Sequence, residues 1–169
     1  MKKPILYSFR RCPYAMRARW ALITFNIDFE IREVDLKNKP KEILNKSKNQ
    51  TVPLLITNHG EVIDQSLDIM IWALSFKNNS KSNYYYLEES KNRIRKLIEE
   101  NDQIFKFHLD RFKYSSRYKD EGEQYHFEEL RKIIQKWNKL LTKCNGNYYW
   151  LIEGKETFAD WCLFPFIRQ

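Results

Sequence analysis

A single cysteine near the start of the chain carries the strongest signal for chemistry. Cys12 begins the tetrapeptide Cys-Pro-Tyr-Ala, which follows a short apolar run and opens a helical pattern. A strand that delivers a cysteine to a helix N-terminus favours the thiolate, because backbone N–H groups and the positive end of the helix dipole stabilise an anion. The pattern therefore predicts a reactive thiol, and the alternative is a structural cysteine that merely precedes a helix. Positive charge nearby supports the reactive thiol, and it comes from Arg10, Arg11, Arg17 and Arg19.

The residue three positions after Cys12 limits what this thiol can do. A dithiol oxidoreductase has a second cysteine there, in a Cys-x-x-Cys motif, whereas this chain has Ala15. Disulfide chemistry at Cys12 therefore needs a second thiol from another molecule. The other two cysteines, Cys144 and Cys162, are interpreted as structural.

Composition and charge indicate a folded chain in a reducing compartment. Of the 169 residues, 43% are hydrophobic and 15% aromatic, which suffices for one large domain or two small ones. There is no long apolar stretch and no signal-peptide pattern, so we predict no membrane partner, and three widely spaced cysteines favour the cytoplasm. The formal charge of +8 is spread through every segment, so we predict no nucleic-acid partner and explain the charge by an anionic substrate.

The first part of the chain alternates between strands and helices that can position Cys12. Apolar runs predict strands at 4–9, 29–34, 53–57 and 61–63, of which the second is less buried. Helical spacing predicts helices at 13–25, about 40–47 and 67–76, with Ser66 as the N-cap of the third. This order gives a mixed four-stranded sheet with helices on both faces, the thioredoxin-like arrangement. The predicted domain covers 1–76, and polar residues 77–87 form a linker.

The second predicted domain, 88–169, is wholly helical in pattern. Apolar spacing predicts one long helix over about 94–112 and another over about 127–141, with a C-cap signal at 144–147. Thr157 and Asp160 predict a capping box for a last helix that is apolar nearly all round. Such a helix is normally covered by further segments, which indicates a truncated chain, a contact between copies or a weakened fold. No His/Cys/Asp cluster has metal-ligand spacing, so we predict no metal.

In combination and order, these motifs resemble the glutathione transferase superfamily, above all its cysteine-active omega-like and bacterial members. The segments that carry the resemblance are RCPYAMRAR at 11–19, DLKNKP at 35–40, TVPLL at 51–55, DQSLDIMIWAL at 64–74 and TFADWCLFPFIRQ at 157–169. The resemblance implies an α/β thioredoxin-like N-terminal domain and an all-α C-terminal helical domain that is incomplete at its end. A homodimer is usual in this family.

The resemblance also implies which residues bind glutathione. Cys12 would form a mixed disulfide with the tripeptide, and Lys39 would pair with its glycyl carboxylate. Val52 precedes Pro53, and in the family this peptide bond is cis and the Val52 backbone pairs with glutathione like an added strand. The remaining residues that we expect at this site are Phe9, Tyr14, Gln65 and Ser66.

One of these residues departs from the family pattern. Gln65 stands where many members have Glu, so the ammonium of the γ-glutamyl group loses a formal ion pair. Asp64 or a hydrogen bond from Gln65 would have to compensate. The backbone N–H of Ser66, at the start of a helix, would receive the γ-glutamyl carboxylate.

The second substrate is expected against the helical domain. The expected wall residues are Phe105, His108 and Phe112, and the alternative for most residues of this helix face is a place in the core. His108 is a candidate acid or base, or equally a surface histidine with ordinary hydrogen bonds.

The leading functional hypothesis is a glutathione-dependent thiol transferase or reductase. Cys12 would attack a mixed disulfide of a small molecule or of a protein thiol, or an oxidised small molecule such as dehydroascorbate. Glutathione would be a substrate, with no permanent cofactor. One alternative is a conjugating transferase in which Tyr7 or Ser8 stabilises the thiolate of glutathione, and another is a non-catalytic binding or regulatory module.

Overall fold

The computed structural model describes residues 2–76, 90–119, 122–143 and 148–169. The chain divides into two units, Met1–Ser82 and Asn83–Gln169. The predicted linker at 77–87, the C-cap signal at 144–147 and Cys144 lie outside the described residues, so those assignments stay predictions. Among the helices that are described, none is both long and apolar enough to span a bilayer.

Over its described residues, 2–76, the first unit contains a mixed four-stranded sheet and three helices. Its strands are β1 (Ile5–Ser8), β2 (Glu30–Glu33), β3 (Leu54–Ile56) and β4 (Val62–Ile63), and its helices are α1 (Pro13–Thr24), α2 (Lys41–Lys46) and α3 (Ser66–Ser75). The strand order is β2-β1-β3-β4, with β1 and β2 parallel and the other two pairs antiparallel. A crossover through α1 joins the parallel pair. The predicted thioredoxin-like arrangement is confirmed.

The side chains of the two central strands divide between the two faces of this sheet. Leu6 pairs in register with Leu55, and Tyr7 pairs with Leu54, so the two pairs point to opposite faces. On one face Tyr7 and Leu54 pack with Ile43 of α2. Leu6 and Leu55, on the other face, are fully buried. Helices α1 and α3 contact each other, and their fully buried apolar residues are Ala15, Ala18, Ala21, Leu22, Ile69, Met70 and Ala73.

Two details of the first unit differ from a simple pattern. The edge strand β2 is exposed at every residue, including the apolar Ile31, and it pairs with a neighbour on one side only. The predicted cap of α3 is wrong by one residue. Gln65 is the N-cap, with extended backbone, and Ser66 is the first helical residue. No side-chain hydrogen bond caps α3, so the residue type does not mark its start.

The second unit is helical, as predicted, with one short ladder that the sequence did not predict. Its helices are α4 (Lys91–Glu99), α5 (Lys106–Lys113), α6 (Glu123–Asn138) and α7 (Phe158–Ile167), with a 3₁₀ turn at Ser115–Arg117. The antiparallel pair β5 (Thr142–Lys143) and β6 (Tyr149–Trp150) lies before α7. A π-helical segment, Glu100–Phe105, interrupts the predicted long helix.

The last helix carries much of the buried surface of the second unit. Its capping box is confirmed, since the Thr157 N–H donates to the Asp160 carboxylate at 2.8 Å and the Thr157 side chain accepts from the backbone at Asp160. Two apolar side chains, Phe164 and Ile167, are exposed, so the helix is not buried all round. The buried residues of α7 are Phe158, Ala159, Trp161, Cys162, Leu163, Pro165 and Phe166.

Candidate active site

Cys12 is the N-cap residue of α1. Its backbone is extended (φ −72°, ψ 120°), Pro13 follows at the first helical position, and the first turn contains no acidic residue. The Cys12 carbonyl accepts from the N–H of Met16, and the Cys12 N–H donates to the carbonyl of Phe9, both at 3.0 Å. No side chain caps this helix. The partly exposed thiol therefore lies at the positive end of the helix dipole.

The structure brings Cys12 against the residues that precede β3. Its Sγ lies 3.8 Å from the carbonyl oxygen of Val52. The Val52–Pro53 peptide bond is cis, as the resemblance implies. Phe9 and Cys12 both pack against the buried cluster that contains Val52 and Leu54. Four of the residues expected at the glutathione site thus lie close together, namely Phe9, Cys12, Val52 and Pro53.

The four arginines near Cys12 occupy different environments. Arg10 and Arg11 are exposed, and the Arg11 guanidinium lies 5.7 Å from the centre of the Phe9 ring. Arg17 is fully buried, with its guanidinium 5.2 Å from the centre of the Tyr14 ring. Arg19 is half-buried and points back along the helix to the segment before Cys12. These arginines therefore cannot contribute equally to the charge at the sulfur.

The Arg19 side chain donates to three oxygens in that segment. Its Nη1 donates to Ser8 Oγ at 2.6 Å and to the Phe9 carbonyl at 3.3 Å, and its Nη2 donates to the Arg10 carbonyl at 2.8 Å. Burial lowers the pKa of Arg19 below its ordinary value, and attraction to Glu33 and to the Cys12 thiolate acts in the opposite direction. The guanidinium is thus close enough to interact with charge on Cys12.

A loop over residues 47–52 connects the other expected glutathione residues. Lys39 Nζ donates to the carbonyl of Gln50, two residues before Val52, at 2.9 Å. The N–H of Lys48 donates to the Asp64 carboxylate at 2.8 Å. Gln65 is exposed, and Ser66 is buried at the start of α3, where a backbone N–H has no partner within its own helix.

The two hydroxyl groups considered for a conjugating mechanism are both engaged. Tyr7 is buried, and its hydroxyl accepts from Arg32 Nη1 at 3.0 Å. Burial raises the pKa of Tyr7, and the Arg32 guanidinium opposes this effect. Ser8 is also buried and accepts from Arg19. Both hydroxyl oxygens thus have a guanidinium partner inside the protein.

The residues expected to line a second-substrate wall have close neighbours within their own unit. The ring centre of Phe105 is 4.9 Å from that of Trp137, and that of Phe112 is 5.5 Å from that of Phe127. His108 is buried and its Nδ1 lies 2.9 Å from His126 Nδ1. The contacts of Phe105 and His108 fit the alternative of core residues, whereas Phe112 is half-buried. The wall itself stays a prediction.

The histidine pair is a feature that sequence reasoning missed. Residues 108 and 126 lie on different helices, and only packing of α5 against α6 brings them together. Two Nδ1 atoms at this distance share one proton, which one ring donates to the other. Within the described ranges, no group of three histidine, cysteine, aspartate or glutamate residues could hold a metal ion.

Comparison with known proteins adds to this geometry. The profile of the family described as "Glutathione S-transferase, N-terminal domain" matches residues 6–80. Glutathione S-transferase omega-1 of Rattus norvegicus is 37% identical over 62 residues, which cover 37% of this chain and 26% of the relative. A probable maleylacetoacetate isomerase of Caenorhabditis elegans is 40% identical over 74 residues, covering 41% of this chain and 33% of the relative.

These two matches thus span about a third or less of each relative's length. The crystal structure of glutathione transferase Omega 3C from Trametes versicolor is similar to this chain with a TM-score of 0.80 and 17% identity. That similarity covers 99% of this chain and 69% of the other. At this identity the likeness is one of fold.

Proposed function

We propose that this chain, which belongs to the glutathione transferase superfamily through residues 6–80, is a glutathione-dependent thiol transferase. The observation that carries the proposal is the partly exposed Cys12 at an uncapped helix N-terminus, 3.8 Å from the Val52 carbonyl. Ala15, at the position of a resolving cysteine, is fully buried. The second thiol must then come from glutathione.

The first step of the proposed reaction is attack by the Cys12 thiolate on a mixed disulfide of glutathione. A bond forms between the Cys12 sulfur and the glutathionyl sulfur, the original S–S bond breaks, and the other thiol leaves as a thiolate that takes a proton from water. The helix N-terminus and the nearby Arg19 favour the attacking anion.

In the second step a glutathione thiolate attacks the glutathionyl sulfur on Cys12. Oxidised glutathione leaves and the Cys12 thiolate is restored. Over both steps the sulfur of the attacking glutathione is oxidised to a disulfide and the substrate sulfur is reduced to a thiol, while the glutathionyl sulfur stays at the disulfide level, so electrons balance. Dehydroascorbate would be a second kind of oxidant for the same thiol.

The groups around Cys12 suit an extended tripeptide with carboxylates at both ends. Lys39 gives one donor to the Gln50 carbonyl, and an ammonium has two more for the glycyl carboxylate. The backbone N–H of Ser66 suits the γ-glutamyl carboxylate, because α3 begins there without a side-chain cap. Gln65 brings no charge to the γ-glutamyl ammonium, so we expect the carboxylate contacts to supply most of the affinity.

The test is intact-mass measurement and peptide mapping after treatment with oxidised glutathione at mildly acidic pH. We expect a single glutathione adduct on Cys12 that reduced glutathione removes. Cys12→Ser should lose the adduct completely, and Cys162→Ser, which changes a fully buried cysteine, should keep it. A folded protein without an adduct on Cys12 would contradict thiol transfer and favour the conjugating or non-catalytic alternatives. Turnover of a hydrophobic aryl halide with reduced glutathione would then separate those two.

A further inference from the structure

The side chain of Arg19 binds the chain segment that leads into Cys12. All three of its acceptors are consecutive in sequence, namely Ser8 Oγ and the carbonyls of Phe9 and Arg10. Ser8 ends β1, and residues 9–11 lead from it to α1 through a turn that the hydrogen bond from the Cys12 N–H to the Phe9 carbonyl closes. A planar guanidinium with donors on both nitrogens holds such a set of oxygens in one geometry, which a lysine cannot do.

One of these acceptors connects Arg19 directly to Cys12. The Phe9 carbonyl accepts from Arg19 Nη1 at 3.3 Å and from the backbone N–H of Cys12 at 3.0 Å. A carbonyl oxygen has two lone pairs and can accept both. The position of the Cys12 backbone, and hence of its thiol over the end of α1, therefore depends on the oxygen that Arg19 holds.

A carboxylate anchors the same segment from the neighbouring strand. The N–H of Arg10 donates to Glu33 Oε1 at 2.7 Å. Glu33 also attracts the Arg19 guanidinium, as does the Cys12 thiolate. Arg19 thus interacts with two acidic groups, the Glu33 carboxylate and the Cys12 thiolate.

We propose that Arg19 is the positioning residue that sets the reactivity of Cys12, by holding the Phe9 carbonyl and by placing a positive charge near the thiolate. The inference rests on the proposed function only in taking Cys12 as the reacting group. The exposed arginines beside Cys12 are screened by water and salt, and the guanidinium of Arg17 faces the Tyr14 ring. Arg19 donates to the carbonyls of Phe9 and Arg10, which come shortly before Cys12 in the chain.

The experiment is the pH dependence of Cys12 alkylation by iodoacetamide, followed by peptide mapping so that only Cys12 is counted. For Arg19→Gln we expect the midpoint of the profile to move to higher pH, and the rate below the midpoint to fall about tenfold, equivalent to one pH unit. Arg19→Lys keeps the charge but not the fork, so we expect a smaller shift and a slower exchange with oxidised glutathione. Arg11→Gln, which removes an exposed arginine next to Cys12, is the matched control and should change the rate less than about twofold.

A purely structural role would lower the unfolding midpoint in urea and leave the alkylation midpoint in place. A folded Arg19→Gln with the wild-type alkylation profile overturns the proposal. If that variant does not fold, Glu33→Gln provides an independent test, since it keeps an acceptor for the Arg10 N–H and removes the competing negative charge. Its profile should move to lower pH, so that the rate below the midpoint rises by more than Arg11→Gln changes it, and an unchanged profile again overturns the proposal.

The same data distinguish this inference from the proposed function. Iodoacetamide needs no glutathione site, so a shifted profile without any glutathione adduct supports Arg19 and contradicts thiol transfer. A glutathione adduct on the wild-type protein, together with variants whose alkylation profiles do not shift, supports thiol transfer and contradicts the role of Arg19.

Discussion

The first and last helices of this chain begin in opposite ways. At α1 the N-cap is Cys12, its side chain makes no capping hydrogen bond, and the first turn has no acidic residue. At α7 the N-cap Thr157 and Asp160 form a capping box, and Asp160 also accepts from the N–H of Leu151 at 2.9 Å. The start of α7 thus uses its backbone N–H groups and its dipole for contacts within the fold. The start of α1 leaves its N–H groups and dipole to interact with an anion.

This difference means that the first turn of one helix contributes to stability, whereas the first turn of the other is available for chemistry. A capped helix start contributes to folding and offers little to a ligand, because its N–H groups already have partners. An uncapped start contributes less to folding and retains a site for negative charge. The start of α3 at Gln65 also lacks a side-chain cap, which places it with α1. The comparison predicts that changes at α7 alter stability alone, whereas changes at α1 alter the thiol.

The largest expected effect comes from removing the cap of α7. Thr157→Ala deletes a fully buried hydroxyl and half of the capping box, so we expect the free energy of unfolding to fall by about 1–2 kcal/mol. Urea titration measures this value. Thr142→Ala, at an exposed threonine, is the matched control and should stay within about 0.5 kcal/mol. The comparison fails if Thr157→Ala slows alkylation of Cys12 while the protein remains folded.

A smaller effect is expected from giving α1 the acid that it lacks. Tyr14→Glu puts a carboxylate in the first turn, where it competes with the thiolate for the helix dipole. This interaction is worth about 0.3–1 kcal/mol, so iodoacetamide should react with Cys12 about two- to fivefold more slowly near neutral pH. Ile23→Glu adds the same charge at an exposed position near the other end of the helix and should leave the rate nearly unchanged. Equal slowing by both variants would mean that net charge, not the helix start, controls the thiol.

The smallest effect concerns the pH dependence of the cap itself. Burial raises the pKa of the Asp160 carboxyl above its ordinary value, although hydrogen bonds from Leu151 and Thr157 lower it. A carboxyl of this kind contributes stability below its unfolded pKa of about 4, and this contribution is lost as the pH rises through the folded pKa. The unfolding free energy of the wild type, minus that of Asp160→Asn, should therefore decrease as the pH rises from about 3 to about 6. A difference that stays constant over this range in urea titrations would contradict the raised pKa.

Local sequence signals were sufficient for the parts of the molecule that depend on neighbouring residues. The strand–cysteine–helix order around Cys12, the thioredoxin-like sheet and the capping box at Thr157 each follow from residues close in sequence. The resemblance added the cis bond before Pro53, which the structure contains. These features recur wherever the same short pattern occurs, which is why they could be predicted.

Features that arise from tertiary contacts were not predictable in the same way. The N-cap of α3 is Gln65 and not the predicted Ser66, because no side-chain hydrogen bond defines the start of this helix. The pairing of His108 with His126 requires that two helices pack together. The contacts of Arg19 require that its side chain reach back along α1 to the residues before Cys12. The sequence predicts positive charge near the thiol, but it does not predict which arginine binds the backbone before Cys12.

The π-helical segment Glu100–Phe105 has a consequence for how the length of this chain can change. Its hydrogen bonds span five residues instead of four, so the segment holds extra chain within a continuous helical path. Removing one residue from an α-helix rotates everything after it by about 100°, which inside α5 would take Leu109 out of the core. Within Glu100–Phe105 a deletion can instead convert the wide turn to an ordinary one. Among the helical segments that are described in the second unit, this one can therefore lose a residue while the core stays in register.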